Sequence, residues 1–270
     1  LLLMRNLKNI INHFNTLPIS KNFSIHKDLI INPPKDELNH LLQSISKEET
    51  NKKIIVFFLI DYEFELNIPE NILVLRTSMR ISIKNPREYI LPYIWEPSNK
   101  IFNPLPNGKQ PIVGFCGQVN KYRTNILNST YINPIIKTNF ILRKYFFGGA
   151  EIDKNISKKD LINDFYKNME ESHFIICNRG SGNFTMRFYQ ALSAGRIPIL
   201  VNTDMLLPFN DRIPWQELII IEDNEQKVIE KVIDWWNYKN LALIQSKCVE
   251  IYYKYFTNTN FIDNIITLLP

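Results

Sequence analysis

Cysteine is scarce in this sequence: Cys116, Cys177 and Cys248 stand far apart among 270 residues, with no Cys-x-x-Cys spacing. A disulfide framework and a cysteine zinc site are therefore excluded, and a reducing compartment is the simpler setting. His13, His26, His40 and His173 show no metal-ligand spacing either. No apolar run reaches the roughly 18 residues of a membrane span. The opening Leu1-Leu2-Leu3, followed by Arg5, Asn6 and Lys8, is too short for a signal-peptide core. The chain is thus expected to be soluble and cytoplasmic, without a membrane span, although the residues before Met4 leave its natural start open. Charge of neither sign is concentrated: 32 Lys and Arg face 27 Asp and Glu, a net charge of +5. Nucleic-acid binders gather their basic residues into a patch, so this scattered excess speaks against nucleic acid and is compatible with a small anionic ligand.

What the sequence has in quantity is core-forming material, 45% hydrophobic and 12% aromatic against 22% charged residues. Such a chain is not disordered, and its length suits two lobes of about 100 to 150 residues. Lys53 to Ile60 (KIIVFFLI) is a continuous β-branched and aromatic run ending at Asp61, the pattern of a strand buried on both faces of a parallel sheet. A second strand is read at 72–75. Pro97, Pro104, Pro106, Asn107, Gly108 and Pro111 crowd the stretch 97–111, and that density of breakers marks a linker. Beyond it, strands at 112–116, 140–147, 173–177, 197–201 and 219–221 alternate with helices at 122–131, 158–171, 184–194, 226–238 and 241–255. Alternation of this kind implies parallel strands joined by right-handed crossovers, with ligands bound beyond the strand carboxyl ends. The predicted fold is α/β with two Rossmann-like lobes facing a cleft: residues 1–106, residues 107–255, and a tail over 256–270 packing back on the first lobe.

The densest feature is SHFIICNRGSGNFTMRFYQALSAGRIPILVN, Ser172 to Asn202: a buried strand, a loop carrying Asn178 to Gly182, an amphipathic helix, Gly195 and a second buried strand. Gly180 and Gly182 permit close backbone approach, and the helix start near Thr185, a possible cap, offers free N–H groups to an anion. Arg179 and Arg187 flank that start and can neutralise a diphosphate through paired hydrogen bonds. A glycine-bearing strand-to-helix turn also serves purely structural ends, so both readings stand at this point. Cys177 is expected to be buried rather than nucleophilic. His173 is expected to be a satisfied structural residue, and Trp235-Trp236 and Tyr252-Tyr253 to pack the lobes together.

The same stretch resembles the signature of exostosin-type glycosyltransferases: a Ser-x-Phe strand, an Arg-Gly turn, Ser-x-Arg-x-x-Glu-Ala-Leu, Gly-x-Ile-Pro-Val and a downstream Leu-Pro-Phe. The matching residues are Ser172, Phe174, Arg179, Gly180, Thr185, Arg187, Ala191, Leu192, Gly195, Ile197, Pro198 and Leu207-Pro208-Phe209. Trp215 falls where the family places an aromatic. Weaker similarity runs from residue 53 to about 236: KIIVFFLID resembles a family strand ending in His-Asp, with Ile60 in place of the histidine and Asp61 retained. Tyr89 to Pro92 resembles an Asp-Val-x-x-Pro segment, and GFCGQVNKYRTNIL a Phe-x-Gly turn followed by an arginine, here Arg123. One departure stands out. Gln190 occupies the place of the family's glutamate, which in such enzymes holds the donor ribose; an amide accepts a hydrogen bond but carries no charge.

This resemblance implies a GT-B fold, with the first lobe on the acceptor side and the second binding the nucleotide sugar. It also implies transfer from a UDP-sugar, such as UDP-xylose, UDP-galactose or UDP-glucuronic acid, to a glycan hydroxyl. With no Asp-x-Asp motif, the leaving diphosphate is expected to be held by basic groups and no metal or other cofactor to be required; Asp61-Tyr62-Glu63 is the nearest approach to such a motif. Asp61 is the expected base, with Glu63 as the alternate, and a strand-end cap is its plainer role. Arg123, Asn178, Arg179, Gly180, Gly182, Thr185, Arg187, Gln190 and Pro198 are the expected donor-site residues. The helix FTMRFYQALSAGRIPIL also resembles the α1,3-fucosyltransferase pattern, with Met186 and Arg187 in place of its Glu-Lys pair. A GDP-fucose-dependent enzyme is therefore one alternative, and a non-catalytic binder of nucleotide sugars or glycans, motivated by Gln190, is the other. The lack of a membrane anchor is unlike Golgi members and suits a viral, bacterial or excised soluble enzyme.

Overall fold

The computed structural model describes residues 2–48, 51–93, 100–150 and 152–270. Residues 97–99 of the predicted linker therefore lie outside the described residues. An amphipathic helix, α1 (Leu2–Phe14), opens the chain and buries Leu7, Ile10 and Phe14. Then come β1 (Phe23–Ile25), β2 (Ile30–Ile31), α2 (Leu38–Ser46), β3 (Lys53–Leu59), β4 (Ile72–Arg76) and β5 (Glu88–Ile90). These strands form one parallel sheet in the order β1-β3-β4-β5, with β2 pairing the carboxyl half of β3 on the edge whose amino half pairs β1. β3 is apolar throughout because both its faces are covered. Ile55 and Phe57 join the core that includes α1, while Ile54, Val56 and Phe58 join Leu38, Leu42 and Ile45 of α2.

The second sheet begins with β6 (Ile112–Gln118), α3 (Thr124–Tyr131) and β7 (Lys137–Arg143). It continues through α4 (Lys158–Glu170), β8 (Phe174–Ile176), α5 (Met186–Ser193), β9 (Ile197–Val201) and β10 (Ile220–Glu222). Helices α6 (Glu225–Tyr238), α7 (Leu241–Tyr255) and α8 (Asn258–Ile266) complete the chain. Side-chain caps fix three helix starts: Ser157 accepts from Asp160 N, Asn224 from Lys227 N and Asn240 from Leu243 N. At the end of α5, Gly195 adopts φ +72°, the left-handed conformation that lets the chain reverse into β9. Helix α8 packs on α1 and α7. His13 and Asp263 meet there at 2.7 Å, and Tyr89 donates to the Leu268 carbonyl at 3.3 Å.

All five strands of the second sheet are parallel, in the order β10-β9-β8-β6-β7. After β6 the chain first adds β7 on one side and then crosses to β8 on the other. The winding therefore reverses between β6 and β8, and a crevice opens beyond their carboxyl ends, where α/β sheets place their ligands. Residues 117–123 and 177–183 lie there.

One predicted strand shifts. The strand expected at 140–147 is β7, ending at Arg143; Phe147 and Gly148 take positive φ of 45° and 64° in a tight turn, and Phe146 faces solvent. Its apolar run is an exposed corner rather than a buried strand. The short strands β1, β2 and β5 carry too few residues for a periodic signal. Trp235 is buried in the core and Trp236 meets the His173 ring edge-on at 5.0 Å. His173 accepts from Ile112 N through Nδ1 and meets the Pro106 carbonyl through Nε2, a structural tie between strand and linker.

Arg196, at the foot of β9, is buried and donates to the carbonyls of Met169 (2.8 Å), Glu170 (3.0 Å), Gly195 (2.7 Å) and Asn103 (3.2 Å), and to Gln245 Oε1 (3.1 Å). Burial pulls its pKa down to about 10. One guanidinium thus joins the linker, α4, β9 and α7. Arg196→Met is expected to strand these acceptors and to destabilise the chain by about 3 kcal/mol, read as a lower urea midpoint at unchanged slope.

Candidate functional site

The carboxyl ends of the two sheets face each other, and the site is built where they meet. On the first sheet, Thr77 Oγ1 accepts from Ile60 N (3.0 Å) and donates to Ile60 O (2.9 Å), locking the ends of β3 and β4 together. Asn32 Oδ1 then accepts from Asp61 N at 2.9 Å, which sets the direction of the turn. Across the cleft, Gly182 lies so close that a Cβ on it would stand 2.8 Å from Asp61 Oδ1 and 3.2 Å from Asp61 Cα. Only glycine allows that approach. Burial raises the Asp61 carboxyl above its ordinary range; Arg179 and a hydrogen bond from the Gly182 backbone oppose the rise without cancelling it.

Glu63, two residues on, behaves in the opposite way. Burial pushes its pKa up, but hydrogen bonds from Arg179 and Arg80 outweigh it, and the carboxyl falls below its usual range. Both its oxygens are engaged: Arg179 Nη2 donates to Oε1, Arg179 Nη1 to Oε2 at 3.2 Å, and Arg80 Nε to Oε2 at 2.7 Å. This ion pair crosses between the lobes. Beside it, Asn183 receives Arg179 Nη1 (3.1 Å) and Thr203 Oγ1 (2.6 Å), and donates through Nδ2 to Met79 O (3.1 Å) and Thr203 O (2.9 Å). Its amide donates to Ser78 Oγ at 2.7 Å.

Three arginines converge around the loop after β8. Arg179 lies over the Tyr122 ring at 4.4 Å. Arg123, the residue before α3, donates from Nε to Asn178 O (3.3 Å) and from Nη1 to Gln118 O (2.8 Å). Burial brings its pKa down to about 10, and Arg187 adds to the fall. Gly180 leaves room for Arg123 Nη2, which a Cβ there would meet at 3.3 Å. Arg187, on the first turn of α5, reaches back under the sheet edge across Phe115, 4.5 Å from the ring, and donates from Nη2 to Cys116 O at 2.9 Å. Its Nε and Nη1 are buried and make no hydrogen bond among the described residues. Gly117 makes room for that reach: it has φ +154°, and a Cβ on it would lie 2.3 Å from Arg187 Nη2.

Other sequence-predicted residues have plainer positions. Asn178 is a brace, donating to Tyr122 O (3.2 Å) and accepting from Val201 N (3.0 Å). Thr185 stands at the N-cap of α5 in extended conformation, but its side chain makes no capping bond, contrary to the expectation from sequence. Gln190 is half-buried on α5, and its side chain makes no hydrogen bond among the described residues. Pro198 stands apart from the others, inside β9 opposite Ile175 and short of the carboxyl edge where the arginines gather. Cys177 is fully buried, which pushes its thiol up to about 12. Ser78 and Arg80 went unread because they sit in loops with no recognisable pattern, and Tyr122 and Asn183 were read only as helix starts.

Against known proteins, the model of the Exostosin GT47 domain matches residues 39–232. The chain belongs to the exostosin GT47 family. The match runs from α2 to α6 and so takes in the facing ends of both sheets. Among relatives, the probable glucuronosyltransferase 47 A of Physcomitrium patens is 26% identical over 78 residues, 28% of this chain and 17% of that protein. The probable glucuronosyltransferase GUT1 of Oryza sativa subsp. japonica is 34% identical over 56 residues, 21% and 13% of the two chains. The probable beta-1,4-xylosyltransferase IRX10L of Arabidopsis thaliana is 31% identical over 61 residues, 23% and 15%. These matches span less than a fifth of each relative's length. Among solved structures, TarM superposes with a TM-score of 0.50 at 13% identity, covering 82% of this chain and 51% of that one. The apo form of the lipopolysaccharide outer core galactosyltransferase WaaB gives 0.50 at 12% identity, covering 98% and 80%. At such identity the likeness concerns the fold, which is GT-B-like: two parallel α/β sheets facing each other across a cleft.

In this GT47 chain two glycines hold the site in register. Gly182→Ala is expected to push the two lobes apart at Asp61 and to destabilise the chain by about 1–3 kcal/mol. Gly117→Ala should displace Arg187 with a similar loss. Urea unfolding of each variant against a surface alanine control checks both.

Proposed function

We propose that this chain transfers a sugar from a UDP-sugar to a hydroxyl of a glycan acceptor, with inversion and without a metal. The observation that carries this reading is the convergence of Arg123, Arg179 and Arg187 at the reversal of the second sheet, with Arg187 Nε and Nη1 buried and without hydrogen-bond partners among the described residues, and with Arg179 facing Glu63 and Asp61. Buried donors without acceptors are costly, and a bound diphosphate would satisfy those of Arg187. The relatives' printed names, glucuronosyltransferase and xylosyltransferase, support transfer of a sugar. Three buried free thiols are in keeping with a reducing, cytoplasmic setting.

In the reaction, the acceptor oxygen attacks the anomeric carbon as the bond from that carbon to the diphosphate oxygen breaks. The acceptor proton passes to an Asp61 carboxylate oxygen, and the electron pair of the broken bond leaves on the diphosphate. Guanidinium groups already in place meet that charge without reorganising, the role a metal has in other transferases. The raised pKa of Asp61 suits a base, since a more basic carboxylate accepts a proton more readily, provided it is ionised at the working pH. Gln190, half-buried on the same helix as Arg187, is assigned to the donor ribose, as an acceptor without charge.

Calorimetric titration with UDP and with GDP, EDTA present throughout, tests the donor assignment. UDP should bind, and Arg187→Ala should weaken it at least tenfold, about 1.4 kcal/mol. A preference for GDP would favour a fucosyltransferase-like donor, and binding of neither would refute the reading. Asp61→Asn should lower kcat about 10³-fold while UDP affinity is retained. With the Asp61 pKa raised, activity should fall on acidification at a pH above the ordinary aspartate range, and the acidic limb of kcat/KM locates it.

A further inference from the structure

We propose that Glu63 is a built-in competitor for the donor diphosphate: its carboxylate occupies the phosphate seat on Arg179 when no nucleotide is bound, and withdraws to Arg80 when one arrives. This inference rests on the donor-site reading above and gives Glu63 a role distinct from that of a base.

The geometry of Arg179 is the first reason. Its guanidinium is held by its own lobe, stacked over Tyr122 at 4.4 Å, donating to Asn183 Oδ1 at 3.1 Å and to Ser181 O at 3.0 Å. The pose therefore does not depend on Glu63. The fork left over receives both carboxylate oxygens of Glu63, and a carboxylate presents a planar guanidinium with the same pair of acceptors that a phosphate edge does. Arg179 is one of three arginines at the crevice, so the seat lies in a field that favours whichever anion carries more charge. A diphosphate outbids a single carboxylate there.

Glu63's own surroundings are the second reason. It enters from the first lobe, 116 residues away in sequence, and it has a second cation of its own in Arg80 Nε at 2.7 Å. Arg80 is 48% exposed and belongs to that same lobe. When a phosphate takes Arg179, Glu63 keeps a charged partner and moves toward solvent, so the exchange leaves no buried charge stranded. Because the Glu63–Arg179 pair spans the lobes, the exchange also releases one of the ties across the cleft. Asp61 with Gly182, Asn183 with Ser78 and Met79, and Asp204 with Ile81 and Ser82 remain among the others. After transfer, Glu63 competes with the nucleoside diphosphate for Arg179 and so favours its departure.

Titration of UDP into the wild-type chain, Glu63→Gln, Arg80→Ala and the double variant separates these contributions, with circular dichroism melts confirming that each is folded. Glu63→Gln should bind UDP roughly tenfold tighter, since the amide keeps the shape but not the charge. Arg80→Ala, at an exposed position, should bind UDP several-fold more weakly, because Glu63 then has no second partner. The double variant should match Glu63→Gln alone, the non-additivity expected of a coupled pair. Unchanged or weaker UDP binding by Glu63→Gln while the wild type binds UDP overturns the competitor and leaves the donor site standing. Failure of wild type and all variants to bind UDP overturns both.

Discussion

A guanidinium at the end of one sheet closed on a carboxylate at the end of the other is the contact around which the cleft is organised. Arg179 and Glu63 bring the loop after β8 against the turn after β3, and Gly182 lets the backbones follow to within contact of Asp61. Bulk at Gly182 would separate the sheet ends, and the candidate base would face water in place of Arg179. Other contacts across the cleft, Asn183 with Ser78 and Met79 and Asp204 with Ile81 and Ser82, reinforce the same register. Its energy is not that of a surface ion pair. Both partners are largely removed from water and hydrogen-bonded on several sides, the setting in which breaking one member costs most.

Burying arginines demands support, and the fold supplies two kinds. Arg196, away from the cleft, is satisfied by carbonyls and by Gln245, and serves as a structural knot. Arg187 is not satisfied: one nitrogen reaches Cys116 O and the other two find nothing. The two residues lie nine positions apart on the same helix-to-strand segment, are similarly buried and have the same chemistry, yet only one lacks acceptors. Arg76, fully buried in the first sheet, also has two nitrogens without hydrogen bonds, but it has the Glu88 carboxylate beside it at 3.2 Å, whereas Arg187 has no carboxylate partner among the described residues.

Much of the second lobe was legible in the sequence. β9 and α7 fall where the sequence predicts them, and α4 and α6 agree to within a residue. Long periodic segments with capped ends report local preferences that the fold leaves intact. The first lobe was less legible: β1, β2 and β5 are two or three residues long and owe their existence to β3 and β4 beside them. At the site, the glycines and arginines from Asn178 to Arg187 were readable because an anion-binding turn needs those residue types close together. Arg80, Ser78 and Tyr122 were not, since each is an ordinary loop residue whose importance comes from what the other sheet presents to it.

The sequence by itself determined the class of fold, the family and the segment that carries the arginines, because hydrophobic periodicity, turn chemistry and an ordered signature are local properties of the chain. Only the tertiary structure decided what those groups meet. It set Asp61 against Gly182, gave Glu63 to Arg179 and Arg80, left two nitrogens of Arg187 without acceptors, and kept Pro198 within the sheet. Burial, charge pairing and unsatisfied donors depend on distances between residues more than a hundred positions apart, and those distances exist only once the two sheets have closed on each other.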